Sequence, residues 1–506
     1  MNTFLNGLTN ANNFTLTENG AVTHKSTNSA LLDLFGMGAA YRKRSDEDCI
    51  LLFRNAFAEN PVYALKCLFY IRDVRGGQGE RRFFRVCMRD LAKQNTEAAA
   101  RNLRYVPEFG RWDDLYVFVG TPLEDAAFNF IKEQLALDIQ CKTPSLLGKW
   151  LKSENASSKE TKRLARKSAA AFGMTPKQYR KTLSVLRERI NVLERLMSAG
   201  KWDEIEFDKI PSKAGLIYKN AFAKHDIERM KSERNVQSYE DFAKDTNTKV
   251  NAKTLYPYEV VEKGLNVMGC RGWYWNNSGA SMDNVDRLMV NKYWDNLADY
   301  FNGANFNALA VVDTSASMRG TPLNVAISLG MYCAEKANGP FAGHYVSFSS
   351  RPQLIKTEGV DFCDKIARIY ATNLCENTNI EATFDMLLNT AIANRCSQDD
   401  LPQNLIVISD MEFDSGTGFW SRGHNYTQTL MESIRQKWAA HGYVMPHLIC
   451  WNVDARQNNI PEDIGCGLVS YVSGFSPSIF QTIMSGKTGM DLMFEKLDSE
   501  RYAVIQ

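Results

Sequence analysis

Two aspartates and a small set of hydroxyls carry the most legible chemistry in this chain. Ala308-Leu-Ala-Val-Val-Asp313-Thr-Ser315-Ala-Ser317 is an apolar run that ends in an acid, with hydroxyls at every second residue after it. Asn404-Leu-Ile-Val-Ile-Ser-Asp410 repeats the pattern of apolar run and terminal acid. Between them, Asn377-Thr378-Asn379 precedes a helical stretch and can bring one more hydroxyl. A continuous apolar run is the mark of a parallel strand buried on both faces. Ligands of open α/β sheets bind outside the carboxyl ends of the strands. Parallel strands share that edge, so Asp313, Ser315, Ser317, Thr378 and Asp410 form a candidate metal set. An all-oxygen donor set suits a hard divalent cation, Mg2+ rather than Zn2+. Each element is common alone, since a Thr before a helix is ordinarily a cap; the combination in this order carries the reading.

The second chemistry is cationic. Lys159 to Arg189 holds ten Lys and Arg against Glu160 and Glu188. Arg81, Arg85 and Arg89 fall on one face of another helical stretch. Arg81, Arg85, Lys162, Arg163, Arg166, Lys167, Arg180 and Lys181 are the candidate phosphate contacts, with Trp150, Phe172 and Tyr179 nearby as rings on which unpaired bases could stack. Such a run also reads as an ordinary solvated helix face. Apolar spacing at Leu183, Leu186, Ile190, Leu193 and Met197 fixes a buried side and turns the basic side outward. Charge is divided along the chain: Phe306 to the end carries 14 Lys+Arg against 21 Asp+Glu, or −7. The totals of 60 and 58 then leave 46 and 37 before it, or +9. This asymmetry suggests an anion-binding part joined to a part with another task.

The elements that must position these residues divide into two kinds. At 506 residues the chain exceeds one compact core. Residues 1–30, rich in Asn, Thr and Gly, are expected to be a flexible N-terminus, 31–304 an α-helical, HEAT-like repeat domain, and 305–506 a doubly wound, mainly parallel sheet domain. From Ser45 apolar residues recur at helical spacing, and Asn60-Pro61 stops one helix and starts the next. No clean repeat period emerges. After Asp313 strands are expected at 344–348, 352–356, 404–410, 445–453 and 468–473. Helices beginning at Pro322, Asp361, Ile380, Met431 and Pro477 alternate with them. The aromatic, Gly-rich stretch Gly269 to Gly279 has no assignment.

Several classes are set aside. Arg75-Gly-Gly-Gln-Gly79 lacks the Gly-Lys-Ser/Thr of a phosphate loop, and Gly486-Lys487-Thr488 lacks the leading Gly and strand, so the first reads as an inter-helix turn. There is no apolar run of membrane-spanning length and no secretory leader at Met1. Eleven scattered cysteines without a Cys-x-x-Cys pair point to free thiols in the cytoplasm.

The order Asp313-x-Ser315-x-Ser317, Thr378, Asp410 resembles the metal-ion-dependent adhesion site (MIDAS) of von Willebrand A domains. The resemblance implies that Ser315 and Ser317 bind the metal directly, Thr378 directly or through water, and that Asp313 and Asp410 supply charge, often through water. Asn377 replaces the usual Gly before the Thr. The stretches Arg72-Asp-Val-Arg-Gly-Gly-Gln-Gly-Glu-Arg81 and Gly110-Arg-Trp-Asp-Asp114 resemble an uncharacterised family of bacterial, viral and plant proteins that joins a helical half to such a domain. The architecture is also similar to the Ro (TROVE) ribonucleoproteins, which implies RNA binding by the helical half. Three functions follow as expectations. The first is a non-catalytic RNA-binding protein, for structured or single-stranded RNA. The second is an adaptor in which the metal captures a protein partner's carboxylate. The third is a metal-dependent hydrolase using Glu412 or Asp414 as base.

Overall fold

The computed structural model describes residues 13–232, 234, 236–271, 274–275, 281–348, 352–372, 379–415, 429–462 and 469–506. The chain is α plus α/β: helices fill the first 300 residues, and a six-stranded sheet organises the rest. Its strands are β5 (Ala308–Asp313), β6 (His344–Phe348), β7 (Gln353–Lys356), β8 (Asn404–Ser409), β9 (His447–Asn452) and β10 (Val469–Ser473), in the order β10-β9-β8-β5-β6-β7. All neighbours pair in parallel except β6 with β7. From β5 the chain steps to β6 on one side, while β8 lies on the other. The strand order therefore reverses between β5 and β8, the crevice where open α/β sheets take ligands. Every residue of β5 and all but the first of β8 are buried, which is why both read as unbroken apolar runs.

The basic helices start where their sequence dictates. Ser158 accepts from the Thr161 N–H to open Lys159–Ala171, and Thr175 with Gln178 forms a reciprocal capping box before Pro176–Arg189. Pro176 occupies the first turn, where its missing N–H costs nothing. Ala165, Ser168 and Ala169 of the first helix and Tyr179, Leu183 and Leu186 of the second are buried, leaving the cations outside.

The two halves share one continuous apolar core. Helix Ala30–Met37 lies on β10, and its backbone comes so near that a Cβ at Gly36 would sit 2.7 Å from the Cβ of Tyr471. The C-terminal tail returns the exchange: Tyr502 is fully buried against Tyr70 and Phe109 and donates to Asp73 at 3.0 Å. The turn at Gly76–Gly79 does connect two helices, Pro61–Arg72 and Arg82–Gln94. It is also a seam. Ser478 donates to the Gly77 carbonyl (2.9 Å), and a Cβ at Gly77 would fall 2.1 Å from the Tyr70 carbonyl oxygen.

The N-terminus departs from expectation. Residues 13–30 are not a loose arm: β1 (Phe14–Leu16) and β2 (Val22–His24) form an antiparallel hairpin. The hairpin bridges to Asp414 and Ile460 of the sheet half. Its strands are three residues each, too short for a periodic signal to show in sequence. Within 269–279, β3 (Cys270–Arg271) pairs with β4 (Tyr274–Trp275), and the remainder of the Gly-rich part lies outside the described residues. The last helix, Gly489–Leu497, was likewise not expected.

Candidate functional site

Asp313 closes β5 and Asp410 follows β8, so the sheet places two carboxylates side by side at its switch point. Asp313 is fully buried and accepts from the Ser315 N–H (2.9 Å) and the Ser409 hydroxyl (2.5 Å). It has no ion pair among the described residues. The Ser315 and Ser317 hydroxyls lie 2.9 Å apart, and Ser317 also bonds to Asp410. Asp410 accepts from the Glu412 N–H (3.1 Å) and from the Arg456 guanidinium (2.9 Å). Met411, between the two acids, adopts φ +63°, a conformation rare for a side chain of its size and of the kind that gathers at functional sites.

Burial pushes the Asp313 carboxyl well up, and the charge of Asp410 pushes it further. Burial raises Asp410 as well, with Arg456 opposing it. Of the two buried carboxylates only Asp410 is paired with an arginine among the described residues, and the side-chain atoms that could ligate a cation here are all oxygen. A hard divalent cation matches both the charge deficit and the donor chemistry. Asp313, Ser315, Ser317 and Asp410 are brought together; Thr378 and Asn377 lie outside the described residues.

Sequence reasoning missed Arg456 and Glu18. Arg456 bridges Asp410 and, at 2.7 Å, Glu18 of the hairpin loop. It follows β9 by four residues, so listing what lies beyond each strand's carboxyl end would have found it. Glu412, once a candidate base, is fully buried and holds the hairpin by accepting the Glu18 N–H (2.8 Å). Burial raises its carboxyl to about 7. Asp414, the other candidate base, bridges to Gly20.

The cationic candidates separate into two groups. Arg85 pairs with Asp114 (2.6 Å) and Asp113 (3.1 Å), Arg163 with Glu160 (2.7 Å), Lys167 with Glu124 (2.6 Å) and Arg180 with Glu154 (2.7 Å). Arg81, Lys162, Arg166 and Lys181 have no acidic partner among the described residues, and Arg81, Arg166 and Lys181 are exposed. Of the rings, Phe172 and Tyr179 are buried, Tyr179 donating to the Lys152 carbonyl (2.8 Å), so neither can stack a base. Trp150 is half-buried at the rim of a cleft, with the Arg111 guanidinium 4.0 Å from its ring centre.

The strings Arg72–Arg81 and Gly110–Asp114 of the helical half meet in a buried ion cluster. Arg72, 1% exposed, donates twice to Asp114 (2.9 and 2.7 Å), which also accepts from Arg85 and from the Arg111 N–H (2.9 Å). Burial lifts the neighbouring Asp113, but Arg111, Arg85 and Lys152 outweigh it and hold its carboxyl below the usual range.

Fold and site together define a class: a helical half fused through a shared core to an α/β half with carboxylates and hydroxyls at its switch point. The chain belongs to the family described as domain of unknown function DUF2828, which matches residues 17–170 and 144–302. A second family, domain of unknown function DUF7788, matches residues 307–503. An uncharacterized protein of Acanthamoeba polyphaga mimivirus is 29% identical over 519 residues, covering 94% of this chain and 85% of its own. The crystal structure of the Deinococcus radiodurans Ro (RSR) protein aligns over 91% of this chain and 100% of its own, with a TM-score of 0.49 and 14% identity. Among the described residues no helix is long and apolar enough to cross a membrane.

Proposed function

We propose that this chain is a non-catalytic RNA-binding protein. Its helical half grips phosphates, and its sheet half, a von Willebrand A-like domain, holds Mg2+ or another hard divalent cation. The observation that carries the reading is the set of cations without acidic partners among the described residues, Arg81, Lys162, Arg166 and Lys181, on a half of net charge +9. Outward-facing cations without acidic partners, on a half of positive net charge, fit the electrostatic footprint of a polyanion. Asp313, Ser315, Ser317 and Asp410 would hold the metal, with Thr378 as a further hydroxyl, and the bound cation would offer a Lewis-acidic point to an incoming oxygen. A protein partner presenting a carboxylate is the occupant that chemistry suits best. Nine free cysteines among the described residues fit a reducing, cytoplasmic setting.

The test is filter binding of the full chain to single-stranded and hairpin RNA between about 50 and 200 mM salt, where each phosphate contact contributes to the slope. Absence of binding at the lowest salt ends the proposal. Asp313→Ala should abolish metal binding and any metal-dependent partner while leaving the RNA affinity in place; loss of both together would mean that the halves do not divide the work this way.

A further inference from the structure

A cavity of about 490 Å3 opens where the turn at Gly79 enters helix Arg82–Gln94, facing the start of helix Pro257–Val267. That is the size of a small-ligand site, about 300–1,000 Å3. Its wall is cationic: Arg42, Arg81, Arg82, Arg85 and Lys213 stand against Glu80 and Glu259, a surplus of three positive charges. Partners outside the wall leave that surplus as it is. Asp46 answers Arg82, while Asp113 and Asp114 answer Arg85 but are shared with Arg72, Arg111 and Lys152.

Each lining acid has both oxygens engaged. Glu80 accepts from Arg42 (2.9 Å) and from the Arg82 N–H (2.9 Å), and Glu259 accepts from Lys213 and from the Tyr256 N–H (3.2 Å). The polar groups left over are donors. The exposed Arg81 guanidinium has no hydrogen-bond or acidic partner among the described residues, and neither the Tyr256 nor the Tyr258 hydroxyl has one. Burial raises both phenols, so both hydroxyls keep their protons. Gly79 makes room for the first, since a side chain there would collide with the Tyr256 hydroxyl.

We infer that this cavity binds a phosphate monoester, with Arg81 and the Tyr256 and Tyr258 hydroxyls donating to its oxygens. A terminal phosphate carries a charge of about −1.5 to −2 at neutral pH and three strong acceptor oxygens. It supplies acceptors where the wall offers donors, and negative charge where the wall has a surplus of positive. A phosphodiester or a carboxylate brings a single charge and fewer free oxygens, so both match less well. A free nucleotide carries the group, and so does a phosphorylated RNA end. Arg81 belongs to the RNA-binding reading as well, but this site does not require RNA on the basic helices.

The experiment is titration calorimetry of the full chain with uridine 5′-monophosphate and with uridine. The monophosphate should bind at least about tenfold tighter, as hydrogen bonds to a charged group provide. Arg81→Gln should erase that difference at an unchanged melting temperature. The Tyr256→Phe, Tyr258→Phe double variant keeps both rings and should weaken the monophosphate about fivefold or more; it reads the same site if Arg81→Gln folds poorly. Heptauridylate with a 5′-phosphate, a 3′-phosphate or hydroxyl ends identifies the source. A phosphorylated heptamer that binds tighter than both its hydroxyl-ended form and the monophosphate makes the RNA end the ligand, and one that only equals the monophosphate makes it a free nucleotide. Absence of monophosphate binding, or equal binding of uridine and its monophosphate, overturns the inference, as does a preference that survives in Arg81→Gln. Charge reversal at Lys162, Arg166 and Lys181 should weaken long RNA and leave the monophosphate untouched. If the monophosphate binds and long RNA does not, the RNA-binding reading alone falls; if long RNA binds and the monophosphate does not, this site alone falls.

Discussion

Two buried charge clusters, one in each half, make the most instructive contrast in this molecule. In the helical half, Asp113 and Asp114 face Arg72, Arg85, Arg111 and Lys152, and Asp114 is fully supplied with donors. In the sheet half, Asp410 pairs with Arg456, and Asp313 has no cation beside it among the described residues. The first cluster leaves neither acid unmatched, with four cations facing two carboxylates, and its role is to lock helix Pro61–Arg72 to the segment Arg111–Phe118. The second is short of positive charge at the position where open sheets take ligands. A buried charge with its partners belongs to the structure; a buried charge without them awaits something from outside.

The strongest way to break this contrast is to unbalance the complete cluster. Asp114→Ala should strand Arg72 in the core and destabilise the chain by about 3–5 kcal/mol, the usual cost of removing one partner of a buried pair. Urea denaturation measures it. A loss below ~1 kcal/mol would show that the cluster does not hold the helical half together. At the incomplete cluster the sign reverses. Asp313→Asn should stabilise the metal-free chain, because it removes a buried charge that lacks a partner. Mg2+ at a hundredfold excess over its Kd should stabilise the wild type by about 2.7 kcal/mol and leave Asp313→Asn and the Ser315→Ala, Ser317→Ala double variant unmoved. Melting curves in EDTA and in Mg2+ decide it, and a wild type indifferent to divalent cations would remove the metal from the proposal.

The same distinction between matched and unmatched charge sorts the cationic helices. Reversal of Lys162, Arg166 and Lys181 to Glu should cost RNA affinity about tenfold or more and flatten the salt slope by about 0.7 per lost contact on single strands. Stability should stay within about 0.5 kcal/mol, since these side chains are partnered by solvent. Reversal of Arg163 and Lys167, which are engaged by Glu160 and Glu124, should do less to RNA. Equal losses from both sets would mean that the ion pairs open on binding.

How much of this was legible in sequence depends on the range of the signal. β5 and β8 announced themselves, because a strand buried on both faces must be apolar throughout, and the acids ending them were visible as exceptions. Strand β6 and helix Ile380–Ala393 fall on the residues that periodicity assigned. The hairpin β1–β2 was not legible: three-residue strands carry no period, and what orders them is Glu412 and Phe413, some 390 residues away in sequence. Arg456 was hidden for a related reason. It lies in a loop with no pattern of its own, and only the pairing of β8 with β9 brings it to Asp410. The pairing of three candidate cations, Arg85, Lys167 and Arg180, was invisible too. Arg180 meets Glu154 and Lys167 meets Glu124 across helix contacts that the linear charge count cannot see.

Glu412 offers the finest test of the incomplete cluster, since it is a third buried acid at the same edge, with its carboxylate tied to the hairpin and its N–H to Asp410. Burial raises its folded-state value to about 7 from an ordinary value of 4.5. The protonated acid is therefore favoured by folding. Its stabilising contribution is fully present below the unfolded value and is lost as pH rises through about 7. In EDTA, the wild type should lose on the order of 1 kcal/mol more than Glu412→Gln between about pH 6 and 7.5, because a neutral amide has no proton to surrender. Asp313 and Asp410 shift in the same direction and contribute to both chains, so the difference between the two urea midpoints, not either slope alone, isolates Glu412. Parallel slopes would mean that the hairpin opens and hydrates the carboxylate before it titrates. The N-terminal strand pair would then be a detachable cover over the sheet edge, and the buried acid beneath it would belong with the charges that meet solvent.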